Sequence, residues 1–324
     1  MQKNITDRNK LQRFLMGKGG NVFVRFARCI LKHWKIYLLF LPAFVVLFLF
    51  NYLPLSGMLI AFKDFYPNKG ILFSPWAEPF YNNFSELLTD KKFWEVLSNT
   101  LLITGTKLLI CFPAPIVLSL IFNEIKLKRF KRVVQTILYL PHFLSWVVLA
   151  GIFRQILASD GMVNSLLAML GMERVGFLTT SFPYFSFIVL SDMWQNCGFA
   201  SILYLAAIAG IDITQYEAAK IDGANRWRVM WSITLPCLIP TIILQLVLNT
   251  ANLLDGGFGQ IYNTYSEPVY DVADIIDTYV YRIGISNGDV ELASALGVFK
   301  SVVSLILVLV TNKISDKLTG EGVF

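Results

Sequence analysis

Apolar residues in this chain are grouped into six long stretches that are separated by polar segments. Each stretch exceeds the ~20 residues that an α-helix needs to cross the hydrocarbon core of a bilayer. Prolines such as Pro113 and Pro240 interrupt several of them, which is tolerated where neighbouring helices satisfy the freed carbonyl groups. The pattern predicts an all-α integral membrane protein with six transmembrane helices, at about residues 36–62, 93–122, 133–157, 184–211, 230–254 and 291–314.

The polar segments complete the predicted organisation. Residues 1–35 form a basic N-terminal tail, residues 36–315 form the transmembrane domain, and residues 316–324 form a C-terminal tail. The segment 256–290 is long and acidic. Because a loop of this length in a compact protein usually has a function, we expect it to face outward and to meet a partner or form a substrate mouth.

The distribution of positive charge predicts the orientation in the membrane. Nineteen Lys and Arg residues lie in the two tails and in the second and fourth gaps between spans, whereas six lie in the opposite gaps. Basic residues are concentrated on the cytoplasmic side of membrane proteins. The sequence therefore predicts a multi-pass protein with both termini in the cytoplasm.

Composition excludes several other classes of protein. Hydrophobic residues make up 55% of the chain and charged residues 15%, against roughly 25% charged residues in soluble domains. The net charge is +6, but the basic residues lie at membrane edges, so nucleic acid is not an expected partner. The four scattered cysteines suggest neither a metal site nor a disulfide framework. No phosphate-binding loop of the form GxxxxGK[ST] is present, so the sequence predicts neither ATP chemistry nor a cofactor in this chain.

The segment between the fourth and fifth stretches has the pattern of a short helix, a glycine break and a second helix. Asp212 or Thr214 can cap the first helix, and the dipole favours a carboxylate in its first turn, where Glu217 lies. Gly223 permits the break because glycine adopts positive φ readily, and Pro236 marks the beginning of the next span. We therefore predict a rigid projection on the cytoplasmic side.

This run of Glu-Ala-Ala, Asp-Gly-Ala and Leu-Pro resembles the cytoplasmic EAA signature of permease subunits in ATP-binding-cassette (ABC) importers. Trp231 departs from the pattern, since family members often carry Phe there, but its bulk and aromaticity are similar. The resemblance implies that residues 217–236, called the coupling loop below, dock on an ATPase subunit and transmit its closure to the spans. The implied coupling residues are Glu217, Ala218, Ala219, Asp222, Gly223, Ala224, Leu235 and Pro236.

Further motifs extend the resemblance from about residue 36 to the C terminus. Asn99–Thr100–Leu101 resembles the start of the permease core, and the run Trp194–Phe199 is similar to that of importers of sugars and oligosaccharides. Within this subgroup the chain resembles the first permease subunit of bacterial alginate-oligosaccharide importers. The resemblance implies the type I ABC importer permease fold in the bacterial inner (cytoplasmic) membrane.

The same resemblance implies the function and the partners. The function is ATP-driven import of a carbohydrate, an oligosaccharide such as one derived from alginate, with no catalysis in this chain. The implied partners are a second homologous permease subunit, two ATPase subunits that carry ATP and Mg, an extracytoplasmic solute-binding protein and membrane lipid.

Polar side chains inside spans are costly and are therefore candidates for function. In the fifth span they share one helical face, and carboxamides offer both donors and acceptors to sugar hydroxyls. A second cluster lies in the fourth span, where an indole is available to stack on a sugar. The candidate substrate path comprises Gln245, Asn249, Asn252, Asp255, Asp192, Trp194, Gln195 and Asn196.

Hydrogen bonding between helices also accounts for polar residues inside a bundle, and this alternative stays open for both clusters. Lys107 and Lys300 lie within or near spans, where they either meet an anionic sugar or pair with Asp192 or Asp255; pairing is the expectation we adopt.

Other functions also fit a six-span chain. An ion-coupled secondary transporter requires ionisable residues in several spans and internal repeats, and no repeat is visible here. A permease for a solute other than sugar and a receptor or scaffold without transport are further alternatives. Co-purification of an ATPase that is lost when Glu217 is replaced would support the importer alone.

Overall fold

The computed structural model describes residues 32–319, and within this range the elements are helical. The described residues contain no β-strand, only a single antiparallel bridge between Lys63 and Trp76. The predicted all-α class is therefore confirmed. Most of the predicted N-terminal tail and the last five residues of the chain lie outside the described residues. The chain divides into two compact units, residues 1–57 and 58–324, which are described separately.

The described part of the first unit forms one apolar helix. Helix α1 covers Trp34–Leu47 and continues through a π-helical turn, Phe48–Tyr52, into the 3-10 helix Leu53–Phe62. Aromatic rings four residues apart stack along it, with 6.3 Å between the ring centroids of Phe44 and Phe48. An 18-residue stretch within Trp34–Phe62 has a mean hydropathy of 2.3, which suits a helix in lipid.

The second unit contains the remaining described helices. Its α-helices are α2 (Gly70–Phe73), α3 (Asn82–Thr89), α4 (Lys91–Ile110), α5 (Pro113–Glu124), α6 (Lys128–Tyr139), α7 (Trp146–Ile156), α8 (Met162–Met169), α9 (Ser181–Ala209), α10 (Ile213–Ile221), α11 (Arg226–Val229), α12 (Leu235–Ala251), α13 (Phe258–Thr264), α14 (Tyr270–Ala273), α15 (Ile276–Tyr281) and α16 (Val290–Thr319). Short 3-10 or π-helical turns cover Leu140–Phe143, Met230–Thr234, Glu267–Val269 and Arg282–Ser286.

Four helical runs in the described chain are long and apolar enough to cross a membrane: Trp34–Phe62, Lys91–Glu124, Arg226–Ala251 and Val290–Lys317. Two bent helix pairs have the same character when each is taken as a whole: Lys128–Phe143 with Trp146–Ile156, and Ser181–Ala209 with Ile213–Ile221. Six spans result if each bent pair is one span.

The stretch 133–157, which hydropathy presents as one continuous span, is bent by 103°. Pro141 lies in the 3-10 helix that follows α6, where its ring has no N–H to donate. Ser145 then caps α7, because its hydroxyl accepts a hydrogen bond from the backbone N–H of Val148. Hydropathy does not reveal the bend because both arms are apolar.

The acidic segment 256–290, which we expected to be a loop, is largely helical. It folds into α13, α14 and α15, and its apolar residues Ile275 and Ile276 are fully buried in the core. From α4 the carboxamide of Asn99 donates a hydrogen bond to the carbonyl oxygen of Asp271 (2.9 Å). The segment is thus a packed part of the bundle, because its apolar side chains need burial as much as those of the spans do.

One carboxylate of this segment, that of Asp274, is fully buried. It forms an ion pair with Arg282, lies 3.7 Å from the ammonium group of Lys92, and accepts a hydrogen bond from the hydroxyl of Thr278 (2.8 Å). A buried carboxylate is tolerated only when it is paired in this way. The ion pairs therefore fix α15 against the beginning of α4.

The two bent spans approach each other closely at Gly198 in α9. A Cβ atom at this position would overlap the carbonyl oxygen of Leu138 in α6. Glycine at position 198 is therefore a packing requirement.

We expect Gly198→Ala to destabilise the protein by about 1–3 kcal/mol, because the backbone of α6 must shift to admit the methyl group. The measurement is the thermal unfolding temperature of the detergent-purified protein. Gly297→Ala is the matched control, since a Cβ atom there meets nothing within 4 Å, and alanine in a helix is at least as stable as glycine. Equal unfolding temperatures for the two variants would contradict this close approach.

Candidate functional site

The coupling loop begins within α10, whose start is fixed by Asp212. The carboxylate of Asp212 accepts a hydrogen bond from the backbone N–H of Thr214 (2.9 Å), and this bond lowers the pKa of Asp212 below its usual range. The side chains of Glu217 and Asp222 are exposed and bond to none of the described residues. Two of the predicted coupling residues therefore present free carboxylates.

Helix α10 ends in a turn that requires glycine. Gly223 has φ of +73°, in the left-handed region that side chains other than glycine rarely adopt. The N–H of Ala224 donates to the carbonyl of Ala219 (2.9 Å), and the N–H of Gly223 donates to that of Lys220 (3.1 Å). These two bonds are the Schellman pattern of a helix C terminus. The backbone conformation, rather than crowding, explains Gly223, because a Cβ atom there would meet nothing within 4 Å.

The loop is tied directly to the fifth span. The hydroxyl groups of Tyr216 in α10 and Thr234 are 3.1 Å apart. Asn225 caps α11, and Leu235 and Pro236 then form the first turn of α12, where proline is tolerated. A displacement of α10 is therefore passed to α12 through both the covalent chain and this hydrogen bond.

The coupling loop and the beginning of α10 have an exposed apolar surface. Ile213 is 67% exposed, Ile221 86% and Trp227 70%. Ala218 is also exposed, whereas Ala219 and Ala224 are half-buried. Exposed apolar groups clustered beside free carboxylates are typical of a surface that contacts another protein.

A cavity of about 490 Å³ lies among α4, α5, α9 and the end of α12, a volume within the range of small-molecule sites. The carboxamides of Gln245 and Asn252 form no hydrogen bond with the described residues, so they are available to a solute. The predicted path residues that line this cavity are Asp192, Asn196, Gln245, Asn249, Asn252 and Asp255.

The other two predicted path residues lie elsewhere. Gln195 is buried, and its carboxamide donates a hydrogen bond to the carbonyl oxygen of Leu144 at the bend of the third span (3.0 Å). Trp194 is 45% exposed and packs edge-on against Phe153, with 5.9 Å between ring centroids. Neither lines the cavity, because positions 194 and 195 lie on a different face of α9 from Asp192 and Asn196.

Lys107 in α4 is held by three groups at the edge of the cavity. Its ammonium group lies 3.6 Å from a carboxylate oxygen of Asp192, donates to the carboxamide oxygen of Gln260 (2.7 Å), and donates to the carbonyl oxygen of Gly256 (3.2 Å). Pairing with Asp192 is one of the arrangements expected from the sequence. The positive charge is thus satisfied within the protein.

Gln260 in α13 is a site residue that the sequence analysis missed. It is 1% exposed, and its amide nitrogen donates to the carbonyl oxygen of Ile188 (2.7 Å) and to the hydroxyl of Ser191 (2.9 Å). Since its oxygen accepts from Lys107, it links α4 to α9. Because the sequence predicts a loop over residues 256–290, no local pattern indicates that Gln260 is buried and contacts Lys107.

His142 joins the same network from the bend of the third span. Its Nδ1 atom lies 3.0 Å from the carboxamide oxygen of Asn196, whose nitrogen donates to Asp192 (3.2 Å). The imidazole also stacks on Phe199, with 4.0 Å between the ring centroids. A chain of polar contacts therefore runs from the bend, along one wall of the cavity, to Lys107.

Lys300 does not pair with either of the two carboxylates expected for it. It forms an ion pair with Asp277 (2.5 Å) beside a second cavity of about 550 Å³. Burial raises the pKa of Asp277, although the hydrogen bond from Lys300 opposes this change, and the neighbouring Asp255 adds to the rise. Asp255 lines both cavities, so they adjoin at this side chain.

A bundle of apolar helices around a polar cavity, with a rigid loop that displays an apolar surface, has the architecture of a membrane transport subunit. The chain belongs to the family “Binding-protein-dependent transport system inner membrane component”, which it matches over residues 111–319. It is therefore a transport subunit and not an enzyme.

Two relatives from Bacillus subtilis (strain 168) match most of the chain. “Polygalacturonan/rhamnogalacturonan transport system permease protein YteP” is 40% identical over 290 residues, which is 89% of this chain and 90% of the relative. “Protein LplB” is 41% identical over 290 residues, which is 89% of this chain and 91% of the relative.

A solved structure has the same fold. The match is to a chain of “Crystal structure of a bacterial ABC transporter involved in the import of the acidic polysaccharide alginate”, with a TM-score of 0.84 and 38% identity over 91% of this chain and 99% of that chain. The resemblance to permeases of ABC importers, including the alginate importer, and the expected type I permease fold are thereby confirmed.

Proposed function

We propose that this chain is the permease subunit of an ATP-driven importer that moves an oligosaccharide across the bacterial inner membrane. The observation that carries this proposal is the cavity lined by Asn196, Gln245 and Asn252 together with two carboxylates. Carboxamides and carboxylates match the many donors and acceptors of sugar hydroxyls. The names of the polygalacturonan and alginate systems, whose permeases are 40% and 38% identical to this chain, support a saccharide as cargo.

The proposed mechanism is mechanical. ATP and Mg bind to two separate ATPase subunits, which close and displace the coupling loop, residues 217–236. Because the loop is tied to α12, the face that bears Gln245, Asn249 and Asn252 moves with it and opens the cavity outward. Hydrolysis reverses the change. Nucleotide drives the cycle only if it favours one of the two conformations.

The proposed assembly contains a second homologous permease subunit, surrounding lipid and an extracytoplasmic solute-binding protein. The family description and the solved alginate transporter “in complex with alginate pentasaccharide-bound periplasmic protein” support the last partner. We place both termini in the cytoplasm, with residues 1–35 and 316–324 as tails of a transmembrane domain of residues 36–315. The charge distribution supports this orientation.

Gly223→Ala tests the coupling loop. An L-residue in the left-handed region costs about 1–2 kcal/mol, so the loop will lose its docking geometry. We expect a roughly 5–30-fold loss of ATPase stimulation by cargo-loaded binding protein, measured with the complete transporter in proteoliposomes. Co-purification of the ATPase subunits with the variant measures docking itself.

Gly288→Ala provides the matched control. Gly288 has φ of +78° and nothing within 4 Å of an added Cβ atom, so its backbone strain is equivalent, but it precedes α16 at the end of the bundle that we place outside. Stimulation should stay close to that of the unmodified protein. Equal losses in the two variants would mean that strain alone, and not coupling, causes the defect.

Gln245→Leu tests the substrate path. The change replaces a free carboxamide of the cavity wall with an apolar side chain of similar size. Because a lost hydrogen bond costs about 0.5–1.5 kcal/mol, we expect oligosaccharide uptake to fall by roughly 2–10-fold. Gln155→Leu is the control, since Gln155 in α7 is exposed and does not line the cavity. Full uptake by the Gln245 variant would exclude this wall from the path.

A further inference from the structure

The charged groups of the cavity indicate which saccharides it accepts, and this inference rests on the proposed function. Among the residues that line the cavity, three are charged: Lys107, Asp192 and Asp255. The cavity lining therefore contains one ammonium group and two carboxylates. The remaining polar lining consists of neutral carboxamides and hydroxyls.

The ammonium group of Lys107 is not available to an anionic cargo. It is paired with Asp192, donates to Gln260 and Gly256, and its side chain is only 13% exposed. To pair with a carboxylate of a sugar, Lys107 would have to give up these partners and leave the partly buried Asp192 without a cation. Breaking such a pair by removing one partner is strongly unfavourable.

Among the described residues, no cation other than Lys107 lines this cavity. Lys300, which lines the adjoining second cavity, is paired with Asp277. Asp255, where the two cavities meet, forms no ion pair with the described residues. A cargo moving from one cavity to the other therefore passes a carboxylate that no cation neutralises.

We infer that the cargo of this transporter is a neutral oligosaccharide and that Asp192 and Asp255 exclude oligouronates. Hydroxyl groups of a neutral sugar donate to the two carboxylates and exchange hydrogen bonds with Gln245 and Asn252. A uronate brings a carboxylate next to Asp255, which forms no ion pair with the described residues, and it meets a Lys107 that Asp192 already neutralises. Like charges at close range repel each other. The chain thus differs in charge selection from the permease of the alginate importer that shares its fold, whose polysaccharide is described as acidic.

The test compares two sets of probes on the complete transporter with its own binding protein in proteoliposomes. One set contains neutral xylo-, arabino- and galacto-oligosaccharides, and the other contains oligogalacturonates and alginate oligomers. Loading of the binding protein is measured separately by calorimetry, and uptake is then compared at saturating loaded protein.

We expect uptake of the best neutral probe to exceed that of the best oligouronate by more than about tenfold. A transporter that prefers oligouronates, or whose binding protein accepts oligouronates alone, overturns the inference and leaves the proposed saccharide import intact. If neither set is bound or transported, the proposed function itself fails, and the inference fails with it.

Asp192→Asn tests whether Asp192 is responsible for the exclusion of oligouronates. The change keeps the acceptor for Asn196 but removes the carboxylate that neutralises Lys107. The cavity therefore gains a positive charge that no carboxylate of the protein neutralises. Uptake of oligouronates should rise several-fold, while Asp160→Asn, which removes an exposed carboxylate that lines neither cavity, should leave it unchanged. Co-purification of each variant with the ATPase subunits reports correct folding. An oligouronate uptake that is the same in the two variants contradicts a selective role for Asp192.

Discussion

A charged or amide group that is buried away from water inside a bilayer must find its partners within the protein, and this constraint organises the structure. Lys107 pairs with Asp192 and donates a hydrogen bond to the carboxamide oxygen of Gln260. The amide nitrogen of Gln260 donates in turn to the carbonyl oxygen of Ile188 and to the hydroxyl of Ser191. These contacts hold α4, α9 and α13 together around a cavity. Because water is absent from the hydrocarbon region, a polar group left without a partner there would be costly. The polar wall of the cavity is therefore also part of what positions the helices.

The same helix bears both proposed functional regions. The coupling loop leads into the first turn of α12, and the free carboxamides of the cavity lie near the other end of that helix. The coupling loop transmits a displacement to the cavity only if α12 moves as a rigid body. The glycine turn at Gly223, the cap at Asp212 and the contact between Tyr216 and Thr234 supply that rigidity without a large core. In the proposed mechanism, ATP hydrolysis in the ATPase subunits thus acts on the cavity through this helix.

The sequence was sufficient for features that depend on long-range hydropathy or on a spaced motif. The all-α fold and the family follow from apolar stretches and from the residues around Glu217 and Gly223. The face shared by Gln245, Asn249 and Asn252 was also predictable, since helical periodicity alone places these residues together. All three line the cavity.

Features that depend on tertiary contacts were not predictable. The bend near Pro141 lies inside one continuous apolar stretch. Segment 256–290 has the acidic residues of an outward loop, although several of its apolar residues, such as Ile275 and Ile276, are buried. Lys300 pairs with Asp277 because α15 folds back against α16, which no local pattern indicates. Gln195 faces the third span and not the cavity, because it donates a hydrogen bond to the carbonyl oxygen of Leu144 in that span. In each case the partner is far away in sequence or unremarkable in type.

The central claim is that the surface around α10 contacts a nucleotide-hydrolysing subunit and conveys its motion to the cavity. A photo-crosslinking residue at Ile221, which is 86% exposed on the coupling loop, tests this most directly when compared with one at Met169, which is 82% exposed in α8. In membranes that contain the complete transporter, the account predicts covalent capture of the ATPase subunit from position 221 alone, with a yield that changes when ATP is added. Capture from position 169, or none from position 221, would contradict it.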